Sequence, residues 1–205
     1  MHNYPGKYIV IEGIDGAGKD TQVDLLREYM SKDTVFTREP RGTDAGIDIQ
    51  KIIIGKNLDP VSQILLMYAA RKEVMNNVII PALESGKTVI SNRNELSTYA
   101  YQIHGHDRHD LEELVGYLSK QVLGEIAPDL CIYYDISAET KKKRLEGRPE
   151  QLDSFDKKAE DFFERAREGY KKYVQHYSDF EIIDASSSIE HVSKITKDVL
   201  MKRGL

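Results

Sequence analysis

A glycine-rich stretch near the N-terminus, residues 13–21, carries the side chains best suited to phosphate chemistry. It follows the apolar run 8–11 and precedes a segment with apolar residues at helical spacing. Its glycines let the backbone turn with its N–H groups pointing inward, and a helix N-terminus adds partial positive charge. The following lysine would reach the β- and γ-phosphates of a nucleotide. The spacing predicts a phosphate-binding P-loop that is made of Gly13, Gly16, Ala17, Gly18, Lys19, Asp20 and Thr21.

The residue after Lys19 departs from the P-loop pattern. That position usually holds a Ser or Thr hydroxyl that binds Mg²⁺, whereas this chain has Asp20, and the nearest hydroxyl follows at Thr21. A carboxylate can bind Mg²⁺ and suits a helix N-terminus, but it also adds negative charge beside a triphosphate. Two interpretations stay open: Asp20 binds the metal, or it caps the helix and weakens nucleotide binding.

Composition narrows the class of protein. The chain has 205 residues, which predicts a single domain over 1–205, and its net charge of −5 argues against general nucleic-acid binding. A single cysteine, Cys131, excludes an internal disulfide, and its apolar neighbours predict a buried thiol. We find no signal peptide and no apolar stretch of about 18 residues, so we expect a cytoplasmic protein without a membrane partner.

The elements that must position these residues alternate between strand and helix patterns. Predicted strands cover 8–11, 34–37, 88–91, 130–134 and 180–183. Predicted helices follow the P-loop and cover 45–54, 60–83, a segment starting within 92–102, 110–126, 155–177 and 189–201. Short apolar strands separated by helices predict an α/β fold with a parallel sheet that is covered on both faces. Ligands of such sheets bind at the carboxyl ends of the strands.

Five sequence blocks in order now resemble one family. After the P-loop come Thr-Arg-Glu-Pro at 37–40, Tyr-Ala-Ala-Arg at 68–71, Arg93 with Leu-Ser-Thr-Tyr-Ala-Tyr-Gln at 96–102, and Phe-Phe-Glu-Arg-Ala-Arg-Glu-Gly-Tyr at 162–170. Together they resemble the thymidylate kinase family nearly from end to end. The resemblance implies a five-stranded P-loop NTPase fold, transfer of the γ-phosphoryl group of ATP to dTMP, Mg²⁺ as cofactor and a homodimer. Apolar faces within 60–83 or 110–126 are the predicted dimer surfaces.

Phosphoryl transfer requires several cations around two phosphate groups. Lys19 serves the donor, and Arg38 and Arg93, each after a predicted strand, are placed to hold the acceptor phosphate. Some family members carry an arginine inside the P-loop where this chain has Gly16, so we predict a lid over 141–156 whose Arg148 supplies that charge. Arg144 then lies nearer the adenine. The alternative for this basic segment is a solvated helix end.

The resemblance also implies an acceptor site. Asp15 reaches the nucleotide 3′-hydroxyl or a metal-bound water, or else only caps the helix. Arg71 contacts a base carbonyl, Thr98 bonds N3, and Tyr101 crowds the sugar 2′ position. Met67 stands at the stacking position where Phe is usual, or it is a plain core residue. The predicted dTMP-binding set is Asp15, Arg38, Met67, Arg71, Arg93, Ser97, Thr98, Tyr101 and Gln102.

Two further departures accompany Asp20. The family's Asp-Arg pair reads Asn92-Arg93, and the Asp-Arg pair of its lid reads Asp153-Ser154. The carboxylate gained at Asp20 offsets the one lost at Asn92. Beside a dTMP kinase, two alternatives follow: a kinase for dUMP or a modified pyrimidine nucleotide, because of Met67, or a nucleotide-binding protein that has lost catalysis, because of Asp20 and Asn92.

Overall fold

The computed structural model describes residues 3–146 and 160–205. Its strands are β1 (Tyr8–Glu12), β2 (Val35–Arg38), β3 (Val89–Asn92), β4 (Leu130–Asp135) and β5 (Phe180–Asp184). They form one five-stranded sheet in the order β2-β3-β1-β4-β5, and every neighbouring pair is parallel. The predicted α/β fold with a parallel sheet is confirmed. Each predicted strand is found, shifted or extended by one residue toward its carboxyl end.

The helices are α1 (Lys19–Tyr29), α2 (Asp44–Gly55), α3 (Pro60–Val74), α4 (Ile80–Glu84), α5 (Glu95–Thr98), α6 (Glu112–Val122), α7 (Ala138–Glu146), α8 (Glu160–Tyr173) and α9 (Ile189–Met201). Side-chain oxygens accept backbone N–H groups at the starts of α2, α3, α5 and α9; they belong to Thr43, Asp59, Asn94 and Ser188. These residue types satisfy the free N–H groups of a first turn, which explains where these helices begin.

The central strand β1 shows why the sheet is covered on both faces. Ile9 and Ile11 belong to a core cluster with residues of α1, α8 and α9. Tyr8 and Val10 belong to a second cluster with Val74, residues 75–83 and Val89. Because neighbouring residues of a strand point to opposite faces, this division places one helical layer on each side of the sheet.

The predicted single helix over 60–83 is interrupted. Residues Met75–Ile79 are π-helical and join α3 to α4. The reason lies in Pro81, which has no N–H group and whose ring would clash with the carbonyl of Asn77 in a regular α-helix. Asn77 lies inside the widened turn, so the chain continues past the proline without a break.

The helix predicted to start within 92–102 starts at Glu95, but it forms only one α-helical turn, α5, before a π-helical stretch, Tyr99–Gly105. Two other helices were predicted to end several residues too late. The helix predicted over 110–126 begins as a 3₁₀ turn, His109–Leu111, and its α-helical part ends at Val122. The helix predicted to Tyr177 ends its α-helical part at Tyr173 and closes with a 3₁₀ turn, Val174–His176. A membrane span would need a long apolar helix, and residues 3–146 and 160–205 contain none.

Candidate active site

The P-loop connects β1 to α1 at the centre of the sheet. Gly13 and Gly18 have φ angles of 151° and 88°, a range that favours glycine. A Cβ atom at Gly13 would also lie 2.7 Å from the carbonyl oxygen of Tyr134 on β4. The glycines therefore let the loop curl tightly against the neighbouring strand, and α1 starts at Lys19 with its N-terminus directed at the loop.

Lys19 is buried beneath the loop and donates to the carbonyl oxygen of Ile14 at 2.9 Å. Burial, aided by the positive charge of Arg93, lowers the pKa of Lys19 to about 7. The carboxylates of Asp15 and Asp20 oppose that shift. Near pH 7 the side chain of Lys19 is therefore only partly charged. A bound anionic phosphate chain would raise its pKa and restore the full charge.

A pocket of about 270 Å³ lies on one side of the P-loop. Arg144 of α7 closes it by donating to the carbonyl oxygens of Gly16 at 3.1 Å and Ala185 at 2.6 Å. The predicted donor residues that line it are Gly16, Ala17, Gly18, Thr21 and Arg144, whereas Gly13, Lys19 and Asp20 belong to the loop but not to this lining. The lining also includes residues that sequence reasoning missed, namely Gln22, Ala185, Ser187, Ile189 and Val192.

A second pocket, of about 260 Å³, lies on the other side of the loop. Asp15 lines this pocket, although the next residue, Gly16, lines the first. All predicted acceptor residues except Arg71 and Thr98 line it, together with the missed residues Glu39, Pro40, Arg41, Gln50, Ile53 and Ile54. All six missed residues lie after β2 or on α2, where the sequence shows the end of the 37–40 block, a turn and an amphipathic helix.

Arg93 anchors the second pocket. It follows β3 directly, has a φ angle of 76°, and donates to the carbonyl of Gly13 at 3.1 Å, Ser97 Oγ at 2.8 Å, Tyr170 Oη at 2.9 Å and Asp15 Oδ1 at 2.6 Å. A non-glycine residue at positive φ is strained, and such strain is often stored at functional sites. These contacts hold the guanidinium at the junction of β1, β3 and α8.

Asp15 is bound from two sides. In addition to Arg93, Tyr101 donates its hydroxyl to Oδ2 at 3.0 Å, and the Tyr101 oxygen accepts the backbone N–H of Asp15 at 3.0 Å. Burial alone would raise the pKa of Asp15, but the charges of Arg93 and Lys19 outweigh it and lower that pKa to about 2. The carboxylate therefore remains charged at neutral pH, and Tyr101 fixes its orientation.

The two acceptor residues outside the lining lie in a buried polar cluster behind it. Arg71 is 1% exposed, pairs through Nε with Glu39 Oε2 at 2.8 Å, and donates to Thr98 Oγ1 at 3.2 Å. Burial raises the pKa of Glu39 to about 7 even though Arg71 opposes the shift. Arg71 Nη1 and Glu39 Oε1 are buried without a hydrogen-bond partner among the described residues. Such orphaned atoms are what a bound base with donors and acceptors of its own would satisfy.

Glu12 is a buried carboxylate beside the site that sequence reasoning missed. It ends β1, is fully buried, and accepts the N–H of Asn94 at 2.8 Å and both the N–H and the hydroxyl of Ser97. Burial raises its pKa, which Arg93 and Ser97 counteract. Glu12 thereby fixes the start of α5 and the hydroxyl that contacts Arg93. The available signal was a carboxylate at the end of a wholly apolar strand.

Asp20, in the first turn of α1, contacts the last residues of two strands, β3 and β2. Its Oδ1 accepts Asn92 Nδ2 at 2.5 Å, and its Oδ2 lies 3.3 Å from Arg38 Nη2. In the described ranges no group of three or more His, Cys, Asp or Glu residues could enclose a metal ion. Mg²⁺ does not need such a group, because it binds through one or two carboxylates together with phosphates and water. The exposed carboxylate of Asp20 and the pocket-lining Asp15 fit that requirement.

Part of the predicted lid lies outside the described residues. Residues 141–146 continue α7, whereas Arg148, Asp153 and Ser154 fall within 147–159.

Cys131 is buried in β4, and burial raises its thiol pKa well above the usual range. The prediction of a buried thiol is confirmed.

Comparison with known proteins identifies the family. The family model for thymidylate kinase matches residues 11–195. A thymidylate kinase of Pseudoalteromonas translucida is 37% identical over 200 residues, which cover 95% of each chain. One of Cupriavidus necator is 39% identical over 193 residues, covering 91% of this chain and 94% of the relative.

A solved structure agrees with the sequence comparison. The crystal structure of thymidylate kinase from Ehrlichia chaffeensis superposes with a TM-score of 0.75 at 28% identity, covering 95% of this chain and 98% of the other. The five-stranded parallel sheet with helices on both faces agrees with this match. The chain belongs to the thymidylate kinase family.

Proposed function

We propose that in this dTMP kinase the pocket closed by Arg144 binds ATP and the pocket anchored by Arg93 binds dTMP. The observation that carries this division is the P-loop itself, because the consecutive residues Asp15 and Gly16 line different pockets. Phosphates entering from the two sides would meet over the loop and above Lys19. An in-line transfer of a phosphoryl group needs that convergence of donor and acceptor.

Different cations around this meeting point bind the phosphates of the two nucleotides. Lys19 neutralises the β- and γ-phosphates of ATP, and Arg38 and Arg93, which line the acceptor pocket, bind the phosphate of dTMP. Arg148 supplies further charge to the transferring group. We expect Arg148→Ala to lower kcat about 1000-fold or more with little change in either KM, as for a charge that acts mainly in the transition state.

The base and sugar occupy the deeper part of the acceptor pocket. Met67 lies against the base, and Arg71 offers its unpartnered Nη1 to a base carbonyl. Thr98, Gln102 and Ser97 supply the remaining polar contacts. Tyr101 crowds the sugar 2′ position and keeps Asp15 directed at the 3′-hydroxyl.

Mg²⁺ is the cofactor that we propose for this site. Asp20 would hold it directly or through water, and Asp15 through water, since both carboxylates flank the loop that holds Lys19. Bound Mg²⁺ would neutralise charge on the phosphates of ATP. The side chains of the protein orient the two nucleotides, keep Asp15 ionised and hold the arginines in place.

A panel of nucleoside monophosphates tests the assignment. ADP release is coupled to a colour reaction, and dTMP, dUMP, dCMP, dAMP and dGMP are compared at equal concentration. We expect the highest kcat/KM with dTMP. A preference for dUMP would instead indicate that Met67 has changed the acceptor, and ATP binding without turnover of any monophosphate would indicate a protein that has lost catalysis.

We also propose a homodimer, formed through the outer faces of α3 and α6. Leu65 on α3 and Tyr117 on α6 are 50% and 64% exposed, although both are large and apolar. A single exposed apolar side chain is ordinary, but apolar side chains grouped on neighbouring helices mark an interaction surface, and α3 and α6 pack against each other. Light scattering should give twice the mass of one chain, and Leu65→Glu together with Tyr117→Glu should shift it toward a single chain. Monomer mass for the unmodified protein would contradict the proposal.

A further inference from the structure

Asp20 lies between the two proposed nucleotide sites and touches the machinery of both. It belongs to the first turn of α1, at the P-loop, yet its carboxylate contacts Arg38 at the end of β2 and Asn92 at the end of β3. Arg38 lines the acceptor pocket. One carboxylate therefore joins the donor loop to an arginine of the acceptor site.

The Asp20–Arg38 pair is open to competition. The side chains are 61% and 37% exposed, and their closest N–O distance of 3.3 Å is long for a charge-assisted hydrogen bond. Partly exposed pairs of this kind are weak. A phosphate of dTMP carries about two negative charges and accepts several hydrogen bonds, so it is a stronger partner for Arg38 than a carboxylate is.

The contact with Asn92 is of another kind. Asn92 is buried, and its amide donates to Asp20 at 2.5 Å, so this side of the carboxylate is held by a rigid strand end. If the contact with Arg38 were broken, Asn92 would still hold Oδ1 of Asp20, and Oδ2 would become free. The freed oxygen would lie at the start of α1, beside the loop that receives the triphosphate.

We propose that Asp20 holds Arg38 in the substrate-free enzyme and yields it to the phosphate of dTMP, which frees the carboxylate for the metal-nucleotide complex. This inference rests on the proposed assignment of the two pockets. It makes two predictions: Asp20 opposes dTMP binding when no metal is present, and it couples dTMP binding to that of the magnesium complex of a nucleotide. Coupling of this kind must be reciprocal.

The first test measures dTMP binding by calorimetry without nucleotide and with EDTA. Asp20→Asn keeps the shape of the side chain and removes the competing charge, so dTMP should bind about threefold more tightly. Thymidine lacks the phosphate and should bind both proteins equally. Asp24→Asn is the matched control, because Asp24 lies one turn further along α1, is exposed and pairs only distantly with Arg27 at 3.7 Å. It should leave dTMP affinity unchanged.

The second test measures the affinity for MgADP with and without saturating dTMP, a pair of ligands that cannot react. In the unmodified protein dTMP should tighten MgADP binding, and Asp20→Asn should reduce that ratio toward one. Unchanged or weaker dTMP binding by Asp20→Asn in the metal-free experiment would overturn the inference, as would an undiminished ratio. An unmodified protein that binds neither dTMP nor thymidine would instead contradict the proposed function.

Discussion

Arg93 and Asp15 form an ion pair on the acceptor side of the P-loop, with 2.6 Å between Nη2 and Oδ1. Arg93 also donates to the backbone of Gly13, so the same guanidinium binds both ends of a three-residue segment of the loop. Arg93, which we propose for the acceptor phosphate, is therefore also attached to the P-loop on its acceptor side.

Arg93→Ala tests this relationship. We expect kcat/KM for dTMP to fall about 100- to 1000-fold, the usual loss when one preorganised charged donor is removed. ATP binding should persist, because Lys19 and the backbone of the P-loop remain. Steady-state kinetics with varied dTMP and calorimetry with ATP separate the two effects, and a variant with unchanged kcat/KM for dTMP would remove Arg93 from the acceptor site.

Lys19 should give ATP binding an unusual dependence on pH. Its ordinary pKa is 10.5, but burial lowers it to about 7, so the free enzyme loses this positive charge as pH rises above 7. The affinity for ATP should therefore decrease between pH 7.5 and 9.5, by up to about tenfold per pH unit. The terminal phosphate of ATP titrates nearer pH 6, so it contributes little in this range.

The control for this experiment is Lys19→Arg, whose guanidinium stays charged throughout the range. Its affinity for ATP should be flat with pH, whatever its absolute value. Metal-free titrations at constant ionic strength measure both proteins. A flat profile for the unmodified protein would show that Lys19 keeps its charge, so that the pKa is not lowered in solution.

Much of the fold could be predicted from sequence, because its signals are local. Five apolar runs predicted the five strands, and the glycine spacing before Lys19 predicted the P-loop. The family match confirms the prediction of a dTMP kinase. Pro81 could have indicated an interruption of the helix over 60–83, but a proline alone does not decide whether a helix ends, bends or widens into the π-helical turn found at Met75–Ile79.

The site was predictable where a motif carries its own geometry and not where distant segments meet. Ala185 and Ile189 line the pocket proposed for ATP because α9 packs on α1, a contact between the two ends of the chain that no local pattern encodes. Glu12 was missed because a single acidic residue at a strand end has no periodic signature. Asp20 and Asn92 were predicted to compensate for each other, and they lie in direct hydrogen-bond contact.

Arg144→Ala should affect the donor alone. Arg144 links Gly16 of the P-loop to Ala185 through hydrogen bonds from a charged group, each worth about 1.5–3 kcal/mol. Its loss should raise KM for ATP about tenfold and leave KM for dTMP unchanged. Lys143→Ala is the neighbouring control, because Lys143 is exposed and pairs with Glu139 within the same helix. An equal effect on both nucleotides would show that Arg144 stabilises the P-loop as a whole.

Gly46→Ala should damage the wall of the acceptor pocket. Gly46 lies in the first turn of α2, and a Cβ atom there would come within 1.9 Å of the carbonyl oxygen of Pro40, which lines the pocket. Alanine normally favours a helix over glycine by about 1 kcal/mol, but this contact forces the backbone at Pro40 or α2 to move. Overpacking of this kind costs about 1–3 kcal/mol, so the free energy of unfolding should decrease.

Gly55→Ala is the control, because Gly55 ends the same helix and a Cβ atom there meets no atom within 4 Å. Its free energy of unfolding should stay the same or increase by up to about 1 kcal/mol. Urea unfolding compares the two variants, and KM for dTMP should rise only in Gly46→Ala. Equal stability and equal KM in both would show that α2 does not press against the Pro40 turn in solution.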